Sequence, residues 1–203
     1  MKVKICGMTN LNDALLCESS GADALGFIFF KKSKRYIEPE LAKNIINHLS
    51  PFTMKVGVFV NESVDFINET AFLLNLNSVQ LHGEESFEII RNINIPVIKS
   101  LRINNEFDFS ILKKYPDTCF LFDTYSESEY GGTGKTFSWE LIPDEIKSKI
   151  ILAGGISINN IEDIFNNIKP AAVDISSSLE SEPGKKDIEK VREFFKKINY
   201  LRR

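Results

Sequence analysis

The chain has 203 residues, 43% of them hydrophobic and 26% charged, with a net charge of −3 at pH 7 and a pI near 5.6. That composition excludes a disordered or fibrous chain, and the acidic balance, with no Lys/Arg cluster interleaved with aromatics, excludes a nucleic-acid groove. No run approaches the ~20 apolar residues of a membrane span, and the N-terminal run is too short and too soon interrupted for a signal peptide, so a cytoplasmic protein that binds neither membrane nor nucleic acid is expected.

Read in chain order, short apolar runs at 3–6, 24–29, 55–60, 78–82, 96–101, 119–123, 149–153 and 171–175 predict eight strands. They are nearly continuous in apolar residues rather than alternating, the pattern of parallel strands covered on both faces. The segments between them carry helical periodicity. The first helix, near 10–20, puts Leu11, Ala14 and Leu15 on one face and stops at Gly21, a C′ glycine. The second starts at Pro39, a good N1 residue, with Leu41, Ala42, Ile45 and Ile46 inward. A short sixth helix is expected near 138–142, and the last helix aligns Ile188, Val191, Phe194, Phe195 and Ile198. Eight such units with no second composition zone predict an α/β fold, one single-domain (β/α)8 TIM barrel spanning 1–203; an open doubly wound sheet is the competitor. The polar loop 124–136, with Gly131, Gly132 and Gly134, has the character of a lid.

Cys6, Cys17 and Cys119 are odd in number, widely spaced and outside any CxxC pair, so reduced thiols are expected and neither a disulfide nor a zinc site. Chemistry in such a barrel sits where the strands end at their C-termini. The strand ends here present Cys6-Gly7, Ser33-Lys34-Arg35, Asn61, His82-Gly83, Asp123, Gly154-Gly155, and Asp174 with Ser176-Ser177-Ser178. After strands 7 and 8, Gly154, Gly155, Ser176 and Ser177 offer backbone N–H groups with little bulk where barrels often hold phosphate; the alternative is a tight turn and helix-capping serines. Asp123 closes the apolar run Cys119-Phe120-Leu121-Phe122, where a partly desolvated carboxyl suits a general acid, though capping is the commoner use of Asp. Cys6 also ends an apolar strand. A strand cysteine is most often core filler, but beside Gly7 and a cationic Arg35 a thiolate becomes reasonable. Arg35 suits a bidentate grip on a substrate carboxylate. His82 either bonds substrate or is a satisfied structural residue; Asp174 joins Arg35 and His82 in the candidate substrate-binding set. His48 sits on a helix without a role. Gly134-Lys135-Thr136 imitates the end of a P-loop, but Glu129 stands where its first glycine belongs and no strand leads directly into it.

Across essentially its whole length the chain resembles phosphoribosylanthranilate isomerases of tryptophan biosynthesis. The carrying segments are Lys4-Ile5-Cys6-Gly7 with Thr9-Asn10, Gly26-Phe27-Ile28-Phe29, Ser33-Lys34-Arg35-Tyr36-Ile37 and Val56-Gly57-Val58-Phe59-Val60-Asn61. Further on come Val79-Gln80-Leu81-His82-Gly83, Phe122-Asp123-Thr124, Gly131-Gly132-Thr133-Gly134-Lys135-Thr136-Phe137, Leu152-Ala153-Gly154-Gly155-Ile156, Val173-Asp174-Ile175-Ser176-Ser177 and Pro183-Gly184-Lys185-Lys186-Asp187. The resemblance implies a cofactor-free and metal-free Amadori rearrangement of a phosphosugar, with Cys6 as general base, Asp123 as general acid, Arg35 facing the anthranilate carboxylate, and the Gly154-Gly155 and Ser176-Ser177 loops on the phosphate. An acid and a base suffice for that chemistry. One departure stands out: the family usually has Ser-Ser-Gly after strand 8, and here Ser178 replaces the glycine. If that position needs φ > 0, Ser178 weakens substrate binding and Ser178→Gly improves it. A histidine-pathway aminoaldose isomerase usually has two aspartates, whereas strand 1 here ends in Cys6. A non-catalytic phosphosugar-binding or scaffold barrel is opposed by the intact Cys6, Asp123 and Arg35. Whether the protein is a monomer or a homodimer is left open.

Overall fold

The computed structural model describes residues 1–115, 118–124 and 139–203. Eight parallel strands close in sequence order into a barrel: β1 (Lys2–Cys6), β2 (Ala24–Ile28), β3 (Met54–Phe59), β4 (Ser78–Leu81), β5 (Val97–Ile103), β6 (Cys119–Thr124), β7 (Ile151–Ala153) and β8 (Ala172–Ile175), with β8 pairing back onto β1. Each predicted strand is present, with ends shifted by one or two residues. A two-stranded antiparallel flap, β9 (Glu180–Glu182) and β10 (Lys185–Lys186), follows β8.

The helices form where caps and apolar stripes agree. Helix α1 (Leu11–Ser20) is capped by the Asn10 side chain, which accepts from the Asp13 N–H at 2.9 Å, and it ends on Gly21 at φ 114°, as expected of a C′ glycine. Its buried stripe is Asp13, Ala14 and Cys17, while Leu15 stands exposed on the flank. Helix α2 (Pro39–Ile46) starts at Pro39 and buries Ala42, Ile45 and Ile46, but Leu41 lies one flank away and is exposed. Helices α3 (Val64–Leu73) and α4 (Phe87–Arg91) cover the next two crossovers. Between β5 and β6 runs a 3₁₀ turn (Phe109–Lys114) in place of a full α-helix. The short sixth segment is a 3₁₀ turn (Trp139–Leu141) followed by α5 (Asp144–Lys147). Helix α6 (Ile161–Asp163) widens into a π turn (Ile164–Ile168). Helix α7 (Ile188–Leu201) buries Val191, Phe194, Phe195 and Ile198, whereas Ile188, in its first turn, is exposed. The expected lid, 124–136, lies almost wholly outside the described residues, as do Gly131, Gly132 and Gly134.

The main core lies between strands and helices, where Phe27, Phe29, Phe59, Phe122, Phe194 and Phe195 are fully buried; each side chain of that size contributes about 1.5–3 kcal/mol by leaving water. A smaller plug of Val56, Ile98, Leu121, Ile151 and Ala153 packs together, with Ala24 and Ala172 against it. At the C-terminal mouth, buried residues turn polar: Lys4, Gln80 and Asp174. That change from apolar to polar positions the site.

Candidate active site

Every candidate site residue named from the sequence lines one pocket of about 400 Å³ at the C-terminal ends of the strands: Cys6, Arg35, His82, Asp123, Gly154, Gly155, Asp174, Ser176 and Ser177. Ser178 and Arg102 line it too. Cys6 ends β1 and Asp123 lies near the end of β6, with β7 and β8 between them on the shorter way round the barrel.

Cys6 is buried, and burial pushes its thiol up; the charge of Lys4 opposes that rise, Asp174 reinforces it and Lys186 opposes it. Lys4 Nζ lies 2.8 Å from Asp174 Oδ2, and this pair is almost wholly out of solvent. Burial by itself would lower the Lys4 ammonium, but Asp174 and then Cys6 outweigh it and hold it up. The second carboxylate oxygen of Asp174, Oδ1, is buried with no hydrogen-bond partner. Such an oxygen in a pocket wall is an acceptor awaiting a donor.

Asp123 is less desolvated than its apolar strand implied: its side chain is 32% exposed. His82 Nε2 lies 3.4 Å from Asp123 Oδ2, and Gln80 Nε2 approaches His82 Nδ1 at 3.1 Å. A Gln80 amide that donates to Nδ1 requires the ring proton on Nε2, facing Asp123. The loop carrying His82 is anchored by Glu85, a buried carboxylate that accepts from the N–H groups of Asn61 (2.8 Å) and Gly83 (3.0 and 3.1 Å) and pairs with Lys99 at 2.7 Å.

Arg35 reaches the pocket but does not present an open fork. Its Nε lies 2.9 and 3.0 Å from the two carboxylate oxygens of Glu180, and its Nη2 lies 2.6 Å from Oε2. Glu180 also accepts from Lys186 Nζ at 2.9 Å, and Lys186 donates to the Cys6 carbonyl at 2.8 Å. Burial would raise the Glu180 carboxyl, but hydrogen bonds from Arg35 and Lys186, together with their charges, hold it below the usual carboxylate range. Arg102 is exposed at the mouth, in register with Asp123 on the neighbouring strand.

Gly154 and Gly155 both adopt left-handed backbone, at φ 81° and 66°, and a Cβ added at Gly155 would meet nothing within 4 Å. The turn is held by Asn160, which donates from Nδ2 to the Gly155 carbonyl at 2.9 Å and accepts from Ser157 N–H at 2.9 Å. Across from it, Ser177–Leu179 is a single 3₁₀ turn. Ser178 is not among the described residues with positive φ, so the strain expected of a serine at a glycine position is absent. Its hydroxyl instead donates to the Ile156 carbonyl at 2.6 Å, tying the loop after β8 to the loop after β7.

Sequence reasoning missed Lys4, Glu180, Lys186, Glu85 and Arg102. Lysine inside the apolar strand Val3-Lys4-Ile5 was the available signal for the first, and the cationic end of β5 for the last.

Over residues 3–197 the chain matches the family model described as N-(5'-phosphoribosyl)anthranilate (PRA) isomerase. The chain belongs to the PRA isomerase family. A relative from Thermotoga neapolitana named N-(5'-phosphoribosyl)anthranilate isomerase is 48% identical over 206 residues, covering 99% of this chain and all of its own length. The crystal structure of phosphoribosyl anthranilate isomerase from Thermotoga maritima superposes with a TM-score of 0.90 at 45% identity, covering 98% of this chain and 99% of that one. A structure of the enzyme in complex with reduced 1-(o-carboxyphenylamino)-1-deoxyribulose 5-phosphate has a TM-score of 0.87 at 42% identity, with 98% and 99% covered. The PRA isomerase barrel is thus the architecture of this chain. Among its described residues no helix is long and apolar enough to cross a membrane.

Proposed function

We propose that the chain isomerises N-(5-phosphoribosyl)anthranilate to 1-(2-carboxyphenylamino)-1-deoxyribulose 5-phosphate in tryptophan biosynthesis, as one cytoplasmic catalytic domain, with Asp123 as general acid and Cys6 as general base. The observation that carries the reading is a shared pocket: a thiol from β1 and a carboxyl from β6 open onto the same cavity as the two small-residue loops after β7 and β8. Asp123 gives its proton to the ribose ring oxygen, the ring opens, and a protonated imine forms at C1′. The Cys6 thiolate then takes the C2′ proton and the double bond moves. One group loses a proton and the other gains one, so the substrate's proton count is unchanged; exchange with solvent then takes the proton from Cys6 and returns one to Asp123 before the next turnover. The phosphate is placed against Gly154, Gly155, Ser176 and Ser177, where the two glycines, at φ 81° and 66°, bring no side chain to the pocket. Asp174 Oδ1 accepts a sugar hydroxyl, His82 holds the Asp123 carboxyl toward the substrate, and Arg35 faces the anthranilate carboxylate.

Turnover of phosphoribosylanthranilate, followed by the loss of anthranilate fluorescence, tests the reading. Cys6→Ala is expected to cut kcat by at least the ~10²-fold usual for a lost acid or base. A variant with near-normal kcat removes Cys6 from the role. Sedimentation decides between monomer and homodimer.

A further inference from the structure

Buried ion pairs hold strands together poorly for what they cost, since apolar side chains of similar size do so at least as well. The pair joining β1 to β8 therefore calls for a reason. Lys4 is 3% exposed and does not line the pocket, whereas Cys6 and Asp174 do. Its ammonium is 2.8 Å from Asp174 Oδ2, and its charge acts on the Cys6 thiol. The space for this arrangement comes from Gly26, which pairs with Cys6 in register on β2. A Cβ added at Gly26 would lie 2.7 Å from the Cys6 sulfur and 3.2 Å from Lys4 Nζ. Three strands thus converge to place one cation beside one thiol, with the thiol on the pocket lining and the cation behind it.

We propose that Lys4 is the positioning residue for Cys6: clamped by Asp174 below the pocket floor, its ammonium fixes the sulfur's direction and supplies the counter-charge for the thiolate. The inference rests on the reading of Cys6 as the base. The charged groups acting on Cys6 are Lys4 on its own strand, Asp174 from β8 and Lys186 from β10. Lys186 is committed to Glu180 and to the Cys6 carbonyl, whereas Lys4 Nζ and the Cys6 sulfur lie on either side of the space that a Cβ at Gly26 would take, 3.2 and 2.7 Å from it.

The test compares Lys4→Met with the native chain by iodoacetamide alkylation as a function of pH, counted by mass spectrometry on the Cys6 peptide so that Cys17 and Cys119 do not contribute. Alkylation of Cys6 is expected to move to higher pH and to slow about tenfold at neutral pH. The acid limb of kcat/KM is expected to move the same way, with activity recovering as pH is raised, which a merely structural lysine would not produce. Because Lys4→Met strands the Asp174 carboxylate, which itself pushes the thiol up, the double variant Lys4→Met/Asp174→Asn is measured beside it and is expected to show a smaller displacement in the same direction. Folded variants whose alkylation profile and acid limb coincide with the native ones overturn the proposal. If Cys6→Ala retains kcat, the base reading fails separately, and the alkylation profile still reports whether Lys4 governs the thiol.

Discussion

Along β8, β1 and the flap after β8, the barrel mouth is walled by buried charge: Lys4 with Asp174, and Glu180 shared between Arg35 and Lys186. Along β4 to β6 the charged groups of the same pocket, His82, Arg102 and Asp123, stand partly in solvent, and the His82–Asp123 pair is 3.4 Å long. Buried pairs at 2.6–2.9 Å set direction rigidly, while a loose exposed pair is worth only about 0–1 kcal/mol. On the proposed roles the difference has a chemical sense. The base must meet a carbon-bound proton in a dry, fixed place, whereas the acid must be reloaded with a proton and profits from contact with water.

The comparison is open to attack where it predicts the largest effect. Glu180→Ala leaves Arg35 and Lys186 without their shared carboxylate and is expected to destabilise the fold by about 3–5 kcal/mol, read as a fall of roughly 6–20 °C in Tm. A loss below about 1 kcal/mol would show that the β8–β1 wall is no more tightly built than the other. Because the folded Glu180 carboxyl is held below its ordinary value of 4.5, its contribution is complete above that pH and is lost as pH falls through the folded value. Thermal melts of the native chain should therefore drop more steeply below about pH 4 than those of Glu180→Gln. On the opposite wall, Asp123→Ala is expected to lower kcat by at least ~10²-fold while leaving stability within about 1 kcal/mol, measured by turnover and melting of the same sample. Smaller still is the effect of Ser178→Gly. Losing the hydrogen bond to Ile156 loosens the two loops, and KM is expected to rise about fivefold with kcat little changed. That is the reverse of what a glycine-favouring backbone would give, so a lower KM would overturn it. Finally, Lys185→Ala breaks an exposed pair with Glu182 at 3.5 Å and should change Tm by the equivalent of less than about 0.5 kcal/mol.

Much of the mouth was legible because each loop's chemistry lies next to its strand in the chain. Cys6, Asp123 and the two glycine/serine loops follow apolar runs, and β-strand periodicity places such residues at the rim. Legibility failed in three places. Leu15, Leu41 and Ile188 have the right apolar character but lie on the flanks of their stripes, where the helix's rotation against the barrel decides burial. The expectation for Ser178 failed because a local pattern does not reveal whether a turn needs positive φ; here a 3₁₀ turn places the hydroxyl against the loop after β7. Arg35 was read with an open fork because Glu180 is 145 residues away in the chain.

By itself the sequence determined eight strands, their order and the residues at the end of each, because hydrophobic period and strand-helix alternation are local properties that closure into a barrel preserves. Only the tertiary structure decided which charges meet. Lys4 finds Asp174 across 170 residues and Lys186 finds the Cys6 carbonyl across 180. A buried charge is satisfied by whatever lies within a few ångströms, and that distance is set by closing β8 onto β1 rather than by any spacing along the chain.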